Sequence, residues 1–270
     1  MRIRFSGRAA AALLVLGLAA VAAATALAAP PTPALMQAIF GDGYDPEAGR
    51  ALAVVRQEGA NAWFLMTLVD STEMADGRII VAVNGRPSNK DGADAASHGS
   101  TGMLNLYALR RMGTDWEVVE RHENVASLGS WGYFGGVEWV SLGPGKPGFI
   151  AYSGSSGQGY EYIEASVFEL GKDVRLLGGF PKGSNSGGAC VPGVEKCWDV
   201  DGRIRFTDSP QGGAYRDILV DFRGKHYTVT EGKHGNDVEH LKSKVRQTAR
   251  YHFDGKKYAL VSGTNPVPGF

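Results

Sequence analysis

The alternation of apolar and polar residues with a period of two most strongly constrains the fold of this 270-residue chain. From about residue 60 onward, short runs of aromatic and β-branched residues are separated by turns in which Gly stands beside a polar residue. Both features are typical of antiparallel hairpins. Five hairpins are predicted: 63–69 with 78–83, 106–109 with 116–119, 137–140 with 149–152, 218–222 with 226–229 (turning at Arg223-Gly224), and 251–253 with 258–261.

The glycine content supports a fold rich in tight turns. Gly accounts for 38 of 270 residues without a Gly-X-Y repeat, which favours turns between strands over a collagen-like chain. The hairpins recur at uneven intervals, which argues against a regular solenoid. We therefore predict one all-β domain over 29–270, with a propeller-like arrangement or, alternatively, a large β-sandwich. The stretch 84–102 is too polar for a core and is predicted to be a surface loop.

One short helix is predicted after the N-terminal region. Thr32 can cap it, Pro33 suits its first turn and Gly41 can end it. The helix would be barely two turns long. Four of its side chains would cover one side of the fold: Leu35, Met36, Ile39 and Phe40.

The N-terminal residues have the pattern of a secretory signal peptide. Three arginines precede an Ala/Leu/Val run over 9–29, and Ala26-Leu27-Ala28 matches a small-x-small cleavage site. We predict a signal peptide over 1–28 and a periplasmic or secreted protein that is not held in the membrane after cleavage. The alternative is an uncleaved anchor, because the run is long enough to span a bilayer.

Cys190 and Cys197 are the two cysteines of the chain. An even pair in an exported protein predicts a disulfide, and the Pro-Gly between them can turn the chain back. The spacing fits neither a Cys-x-x-Cys redox motif nor a zinc site.

The charge balance gives no sign of a nucleic-acid or acidic-lipid partner. The sequence holds 28 basic and 28 acidic residues, and three of the basic ones lie in 1–28, so the remainder carries a formal net charge of −3. The C-terminal part is locally basic, which we interpret as a solvated strand or loop. Its cations are Lys242, Lys244, Arg246 and Arg250.

Two fragments, 198–202 (Trp-Asp-Val-Asp-Gly) and 251–258, resemble the repeats of exported FG-GAP (integrin-type) β-propellers. The chain is also similar to uncharacterised exported proteins of Gram-negative bacteria. The FG-GAP resemblance implies a calcium loop, for which Asp199 and Asp201 are the candidate ligands. Arg203 occupies the position of a third acidic residue, and an Asp-Gly turn joining two strands is the alternative interpretation of this segment.

Aromatic residues beside glycines are the best candidates for a binding surface. They occur in 129–136 and 154–162, and they can present flat apolar faces with polar edges to a sugar or peptide. The alternative is that the rings cover the ends of the sheets while the glycines allow close packing. The candidate binding residues are Trp131, Tyr133, Phe134, Gln158, Tyr160 and Tyr162.

The sequence patterns that would indicate a catalytic site are weaker than those for a binding surface. Glu138 and Glu161 would form a hydrolase pair if their carboxyl groups converged within about 10 Å. His98 shares a polar stretch with Asp94 and Ser100, but no Gly-x-Ser-x-Gly motif accompanies them, so we expect hydrogen bonding within the loop.

The sequence therefore predicts an exported binding module without a cofactor. Its partner would be an envelope protein, a peptide or a glycan. A carboxylate-dependent, glycosidase-like hydrolase is the alternative, and a structural protein without a small-molecule site is a third hypothesis. Walker, dinucleotide and haem motifs are absent from the sequence.

Overall fold

A computed structural model describes residues 32–57, 59–233 and 235–269. The predicted signal peptide lies outside these residues. Helix α1 spans Thr32–Phe40 and confirms the predicted helix. The strands are β1 (Tyr44–Asp45), β2 (Arg50–Gln57), β3 (Ala60–Glu73), β4 (Ile79–Ser88), β5 (Gly102–Met112), β6 (Asp115–Leu128), β7 (Gly136–Gly143), β8 (Lys146–Gly157), β9 (Tyr160–Leu170), β10 (Val174–Asn185), β11 (Cys197–Thr207), β12 (Asp217–Glu231), β13 (Asp237–Phe253) and β14 (Tyr258–Gly263).

The strands form two antiparallel sheets, which confirms the all-β prediction. Strands β1 to β6 make sheet 1, and β7 to β14 make sheet 2. Within each sheet every hydrogen-bonded neighbour is also the neighbour in sequence. Two meandering sheets fit the sandwich alternative rather than a ring of propeller blades.

The two sheets pack against each other through an apolar layer. Ile80, Leu104 and Leu106 of sheet 1 meet Phe149 and Phe168 of sheet 2 in this layer. Phe149 and Phe168 stack with ring centroids 4.8 Å apart. Strands β4 and β5 are buried on both faces over 79–85 and 102–109, because their opposite faces contribute to a second core.

That second core lies between sheet 1 and α1. Leu35, Met36 and Ile39 are buried against Val81, Tyr107 and their neighbours. The helix contacts both β2 and β6, so sheet 1 curves around it. Phe40 meets Tyr107 edge to face at 5.6 Å, and the Arg121 guanidinium donates a hydrogen bond to the Ile39 carbonyl at 2.9 Å. The four predicted apolar side chains thus cover one side of the fold.

The third core fills the other face of sheet 2. Val220, Phe222, Tyr251 and Tyr258 lie in it. The C-terminal segment 264–269 crosses this face, where Val267 packs against the core and the Asn265 amide donates to the Pro181 carbonyl at 2.8 Å.

Two predicted turns are wrong. Strand β12 runs without interruption through Arg223-Gly224, and β11 runs through Asp201-Gly202. A Cβ atom on Gly224 would lie 2.1 Å from the Asp199 carbonyl oxygen, and one on Gly202 would lie 2.7 Å from Phe222. These glycines allow close approach within a continuous sheet, so they do not mark turns. The other four predicted hairpins are confirmed as β3–β4, β5–β6, β7–β8 and β13–β14.

The predicted polar loop is shorter than 84–102. Strand β4 extends to Ser88, β5 begins at Gly102, and the loop spans 89–101. Asn84, which was predicted to lie in this loop, is a buried residue of β4. Its side chain bonds to the backbone of the segment that joins the two sheets. Among the described residues, no helix has the length and apolar character needed to cross a membrane.

Candidate functional site

An open cleft lies at one end of the two sheets, where several separate segments of the chain converge. One lobe has a volume of about 520 Å³, and an overlapping lobe has about 540 Å³. We call both lobes together the aromatic cleft. Its rings come from loop 89–101, from the sheet-to-sheet segment 129–135, from the β8–β9 hairpin and from the start of β11: His98, Trp131, Tyr160 and Trp198.

Trp131 lies at the point where the chain passes from sheet 1 to sheet 2. Its backbone is in the left-handed region, at φ 56°, and the ring is 49% exposed. The Asn84 side-chain amide donates to the Gly132 carbonyl at 3.0 Å, and the Gly132 N–H donates to Ser100 at 2.7 Å. A buried amide and a neighbouring loop therefore fix the turn that presents this exposed indole.

His98 connects the loop of sheet 1 to the hairpin of sheet 2. Its Nε2 donates a hydrogen bond to the Ser156 carbonyl at 2.7 Å. Its ring meets Trp131 edge to face, with centroids 5.1 Å apart. The base of the loop is tied to β4 by the Arg86–Asp94 ion pair, and the Ala96 N–H and the Arg86 guanidinium hold the pKa of Asp94 below its usual value.

Tyr160 and Trp198 form a stacked pair on the far wall of the cleft. Their centroids are 5.6 Å apart at an interplanar angle of 26°. The indole N–H of Trp198 donates to the Ser184 hydroxyl at 2.9 Å, which fixes the ring's orientation. A large aromatic surface is thereby held in place beside the cleft.

The hairpin tip between these walls is a tight two-residue turn. Gln158 and Gly159 both have positive φ, at 52° and 84°, as a type I′ turn requires. The Ala189 N–H donates to the Gly159 carbonyl at 3.1 Å, which ties the tip to the loop between β10 and β11. The Gln158 side chain is exposed and supplies an amide at the rim.

The predicted disulfide is present in that loop. Cys190 and Cys197 are bonded, with Cα atoms 5.9 Å apart, and the loop turns at Pro192-Gly193. The cystine packs against Tyr227 and Val229. Since Trp198 follows Cys197 directly, the disulfide also fixes one wall of the aromatic cleft.

A disulfide stabilises a protein mainly by restricting its unfolded chain, and the effect is smaller when the closed loop is short. We therefore expect replacement of both cysteines by alanine to lower the free energy of unfolding by about 2–3 kcal/mol. Urea unfolding with and without a thiol reductant measures this loss. The reductant should destabilise the wild type to a similar extent and leave the double variant unchanged. A loss below about 0.5 kcal/mol would show that the loop is held by its packing alone.

The structure brings three of the six candidate binding residues into the cleft, namely Trp131, Gln158 and Tyr160. Tyr133 lies outside it, under the Arg86 guanidinium at 4.4 Å. Phe134 is 4% exposed and belongs to the layer between the sheets, so its ring is not at the surface. Tyr162 is half-buried on β9 beside Ser184, and burial raises the pKa of its phenol.

Glu138 and Glu161 do not converge. They lie opposite Ile150 and Ser156 of β8, which are six residues apart, and this corresponds to about 20 Å along the strand. Glu138 accepts a hydrogen bond from Tyr152, and Glu161 accepts one from Asn185. The pair lacks the spacing that a glycosidase requires.

Asp94 and Ser100 likewise do not form a relay with His98. Asp94 pairs with Arg86, and the Ser100 hydroxyl lies 3.1 Å from that of Ser97. A second set of such residue types lies elsewhere, where His252 Nδ1 is 2.7 Å from Asp217 and 3.4 Å from Ser209. Both contacts use the same ring nitrogen, whereas a relay needs opposite ones.

Asp199 and Asp201 lie on the exposed face of β11. Asp201 forms an ion pair with Lys182, and Asp199 stands opposite Lys225. Within the described parts of the chain, no group of three or more His, Cys, Asp or Glu residues is placed to hold a metal ion.

Two of the four rings in the cleft, those of His98 and Trp198, were not predicted to belong to a binding site. Trp198 enters the site through the pairing of β10 with β11 and its contact with Tyr160, and these depend on tertiary structure. The polar loop around His98 was identified, but no sequence pattern indicated its contact with Ser156.

Comparison with known proteins gives no family assignment. No protein-family model matches the chain, and neither the curated proteins nor the solved structures contain a significant match.

Proposed function

We propose that this protein is an exported binding module and that its aromatic cleft holds a neutral saccharide. The observation that carries the proposal is the convergence of Trp131, Tyr160 and Trp198 from three segments onto one open cleft. A sugar ring has apolar C–H faces that pack on aromatic rings and hydroxyl groups that bond to polar side chains. The volume of each lobe lies within the usual range for small-ligand sites.

Polar groups at the rim suit such a ligand. Gln158 offers both a donor and acceptors, and Ser155 and Ser156 line the same lobe. Glu161 and Asn185 are paired to each other at 2.6 Å and lie beside Trp131. The cleft thus combines aromatic faces, uncharged polar groups and one carboxylate, and this combination favours a neutral saccharide over a polyanion.

Titration of the purified protein with neutral mono- and oligosaccharides tests the proposal by calorimetry and by tryptophan fluorescence. We expect Trp131→Ala to weaken binding at least tenfold, since an exposed aromatic residue that anchors a ligand carries much of the binding energy. Trp63→Ala is the matched control, because Trp63 is also exposed, at 38%, and is not among the residues that line the cleft.

Thermal unfolding provides a second measurement, because a ligand that binds the folded state raises the midpoint. If the saccharides leave the midpoint unchanged while proline-rich peptides raise it, the ligand class is wrong and the cleft binds peptides. If Trp131→Ala binds saccharides as well as the wild type does, the aromatic cleft is not their site.

A further inference from the structure

Strand β13 has an outer edge that is open over most of its length. Strand β14 pairs with it only at Ala249–Phe253, and the Thr264 N–H adds one bond to the Thr248 carbonyl. No other strand of the described residues covers the rest of this edge, 237–247, and residues 237–244 are all exposed. An open edge of this length is a template for an added strand.

Alternate residues of β13 direct their backbone groups to the open side. The Thr248 carbonyl faces this side, because it accepts the Thr264 N–H, and Thr248 stands opposite Asp221 of β12. In an antiparallel pair, the partners of every second residue bond to the same side. Lys242 has no partner in β12 and forms a β-bulge, which shifts the alternation by one residue. The residues of the open edge that direct their N–H and C=O groups outward are therefore Asp237, Glu239, Leu241, Lys244 and Arg246.

The side chains of these outward residues share one face of the sheet. Their partners in β12 are alternate residues, and directly opposed residues point to the same face. Along this face the edge presents two carboxylates, then an apolar side chain, then two cations. Leu241 lies in the middle and is 55% exposed. The two halves of the open edge therefore carry opposite charges.

This order is complementary to itself. If two copies of β13 pair antiparallel with Leu241 opposite the Leu241 of the second copy, Glu239 stands opposite Lys244. Asp237 stands opposite Arg246 in the same arrangement, because the bulge at Lys242 adds a residue but no paired position. The two-fold axis repeats both oppositions. Hydrogen-bonded residues opposed in this way have Cα atoms about 5.5 Å apart, which lets unlike charges attract across the pair.

The open length of the edge also matches this pairing. Strand β13 begins at Asp237, and the turn that precedes it is closed by a bond from the Gly232 N–H to the Asn236 carbonyl. In the two-fold arrangement, Asp237 of one copy meets Arg246 of the other. The pairing thus stops before Thr248, where the covered part of the edge begins.

Charge favours a second copy over an acidic partner segment. The cations of β12 already face carboxylates within the sheet, because Asp199 stands opposite Lys225 on the neighbouring strand. This face therefore requires no external anion. An acidic segment along the whole edge would set its carboxylates against Asp237 and Glu239, and a basic segment would meet the same repulsion at the other half. Only a strand that reverses its charge at the middle fits both halves.

We propose that two copies of this protein associate through antiparallel pairing of their β13 edges, with Leu241 at the two-fold axis. The same surface of each copy forms the interface, and sheet 2 of one copy continues into sheet 2 of the other. The interface is separate from the aromatic cleft and does not depend on the proposed saccharide.

Sedimentation velocity over a wide range of protein concentrations tests the proposal. We expect a concentration-dependent dimer at low salt that weakens as the salt concentration rises. The charges of the pairing residues are all positive in D237K/E239K and all negative in K244E/R246E. Each variant should therefore dimerise at least tenfold more weakly than the wild type.

An equimolar mixture of these two variants gives the sharpest outcome. Opposite charges then face each other again, so we expect a heterodimer with an affinity close to that of the wild-type dimer. Its formation also shows that both variants are folded. The control K90E/K172E makes the same change in net charge as K244E/R246E at two exposed positions elsewhere and should dimerise as the wild type does.

Cross-linking tests the register of the pairing. In Leu241→Cys the two new thiols lie opposite each other, at a Cα separation that permits a disulfide, so mild oxidation should give a covalent dimer. Val238→Cys is the matched control, because Val238 is also exposed, at 37%, and lies on the same strand. Its two copies would stand about 20 Å apart along the paired strands and should not cross-link.

Any of four results would overturn the proposal. A wild type that stays monomeric at every concentration leaves the edge to a different protein. A dimer that both charge variants preserve lies on another surface. A mixture of the two variants that stays monomeric shows that opposed charges do not drive the association. Equal cross-linking of Leu241→Cys and Val238→Cys indicates random collision.

Discussion

Replacement of Phe149 by alanine is expected to lower the free energy of unfolding by about 3–5 kcal/mol. Phe149 is fully buried, stacks on Phe168 and lies 5.6 Å from the Trp139 ring. These three aromatic residues stand side by side on β7, β8 and β9. Removal of the central ring leaves a cavity in the layer that joins the two sheets.

Urea unfolding followed by tryptophan fluorescence and circular dichroism measures this loss. Leu176→Ala is the control, because Leu176 is 55% exposed although it pairs with Phe168 across β9 and β10. We expect its effect to stay within about 0.5 kcal/mol. A loss below about 1 kcal/mol for Phe149→Ala would contradict a packed layer between the sheets.

Local sequence signals were sufficient for much of this architecture. The helix Thr32–Phe40 could be predicted because Pro33 favours the first turn of a helix and Gly41 favours its end. Both preferences depend only on the local backbone. The confirmed turn at Asp254-Gly255 is similarly local, because the Asp254 carboxylate accepts two backbone N–H groups within three residues. The meander order adds few long-range choices, since each strand pairs with the next.

The wrong turn predictions concern glycines that allow the close approach of a neighbouring strand. Gly224 pairs with Val200 on one side and Val245 on the other, and nothing in its local sequence distinguishes it from a turn glycine. The choice between propeller and sandwich depends likewise on which strand faces contact each other. That information resides in packing between sheets, which a period of two does not encode.

The candidate site was predicted in part for the same reason. Trp131 and Tyr160 lie in glycine-rich segments that mark loops, so their place at the end of the sheets follows from sequence. Phe134 lies in the same segment as Trp131 but points into the core. A single residue's orientation within a loop is set by tertiary contacts such as those of Asn84.

A buried carboxylate near the start of β12 stabilises the fold on the side of sheet 2. Asp217 is 2% exposed and accepts hydrogen bonds from Arg250 at 2.8 Å and from His252 at 2.7 Å. Burial by itself would raise the pKa of the Asp217 carboxyl, but the hydrogen bonds from His252, Arg250 and Ser209 outweigh it and hold the pKa below its usual value. The charged form is therefore the one that the folded state favours.

Asp217→Asn is expected to lower the free energy of unfolding by about 3 kcal/mol at pH 7, because it leaves Arg250 and His252 beside a neutral amide. Asp208→Asn is the matched control. Asp208 pairs with Arg216, but its side chain is 92% exposed, so we expect a change below about 0.5 kcal/mol. Urea unfolding of the two variants and the wild type measures both effects.

The loss in free energy of unfolding caused by Asp217→Asn should decrease as the pH falls. A carboxyl whose pKa is lower in the folded state stabilises the protein fully above its unfolded pKa, about 4, and loses that contribution as the pH falls through the folded value. The difference in the free energy of unfolding between the wild type and Asp217→Asn should therefore become smaller as the pH falls from 5 to 3. A difference that stays constant over this interval would show that Asp217 acts through its packing and not through its charge.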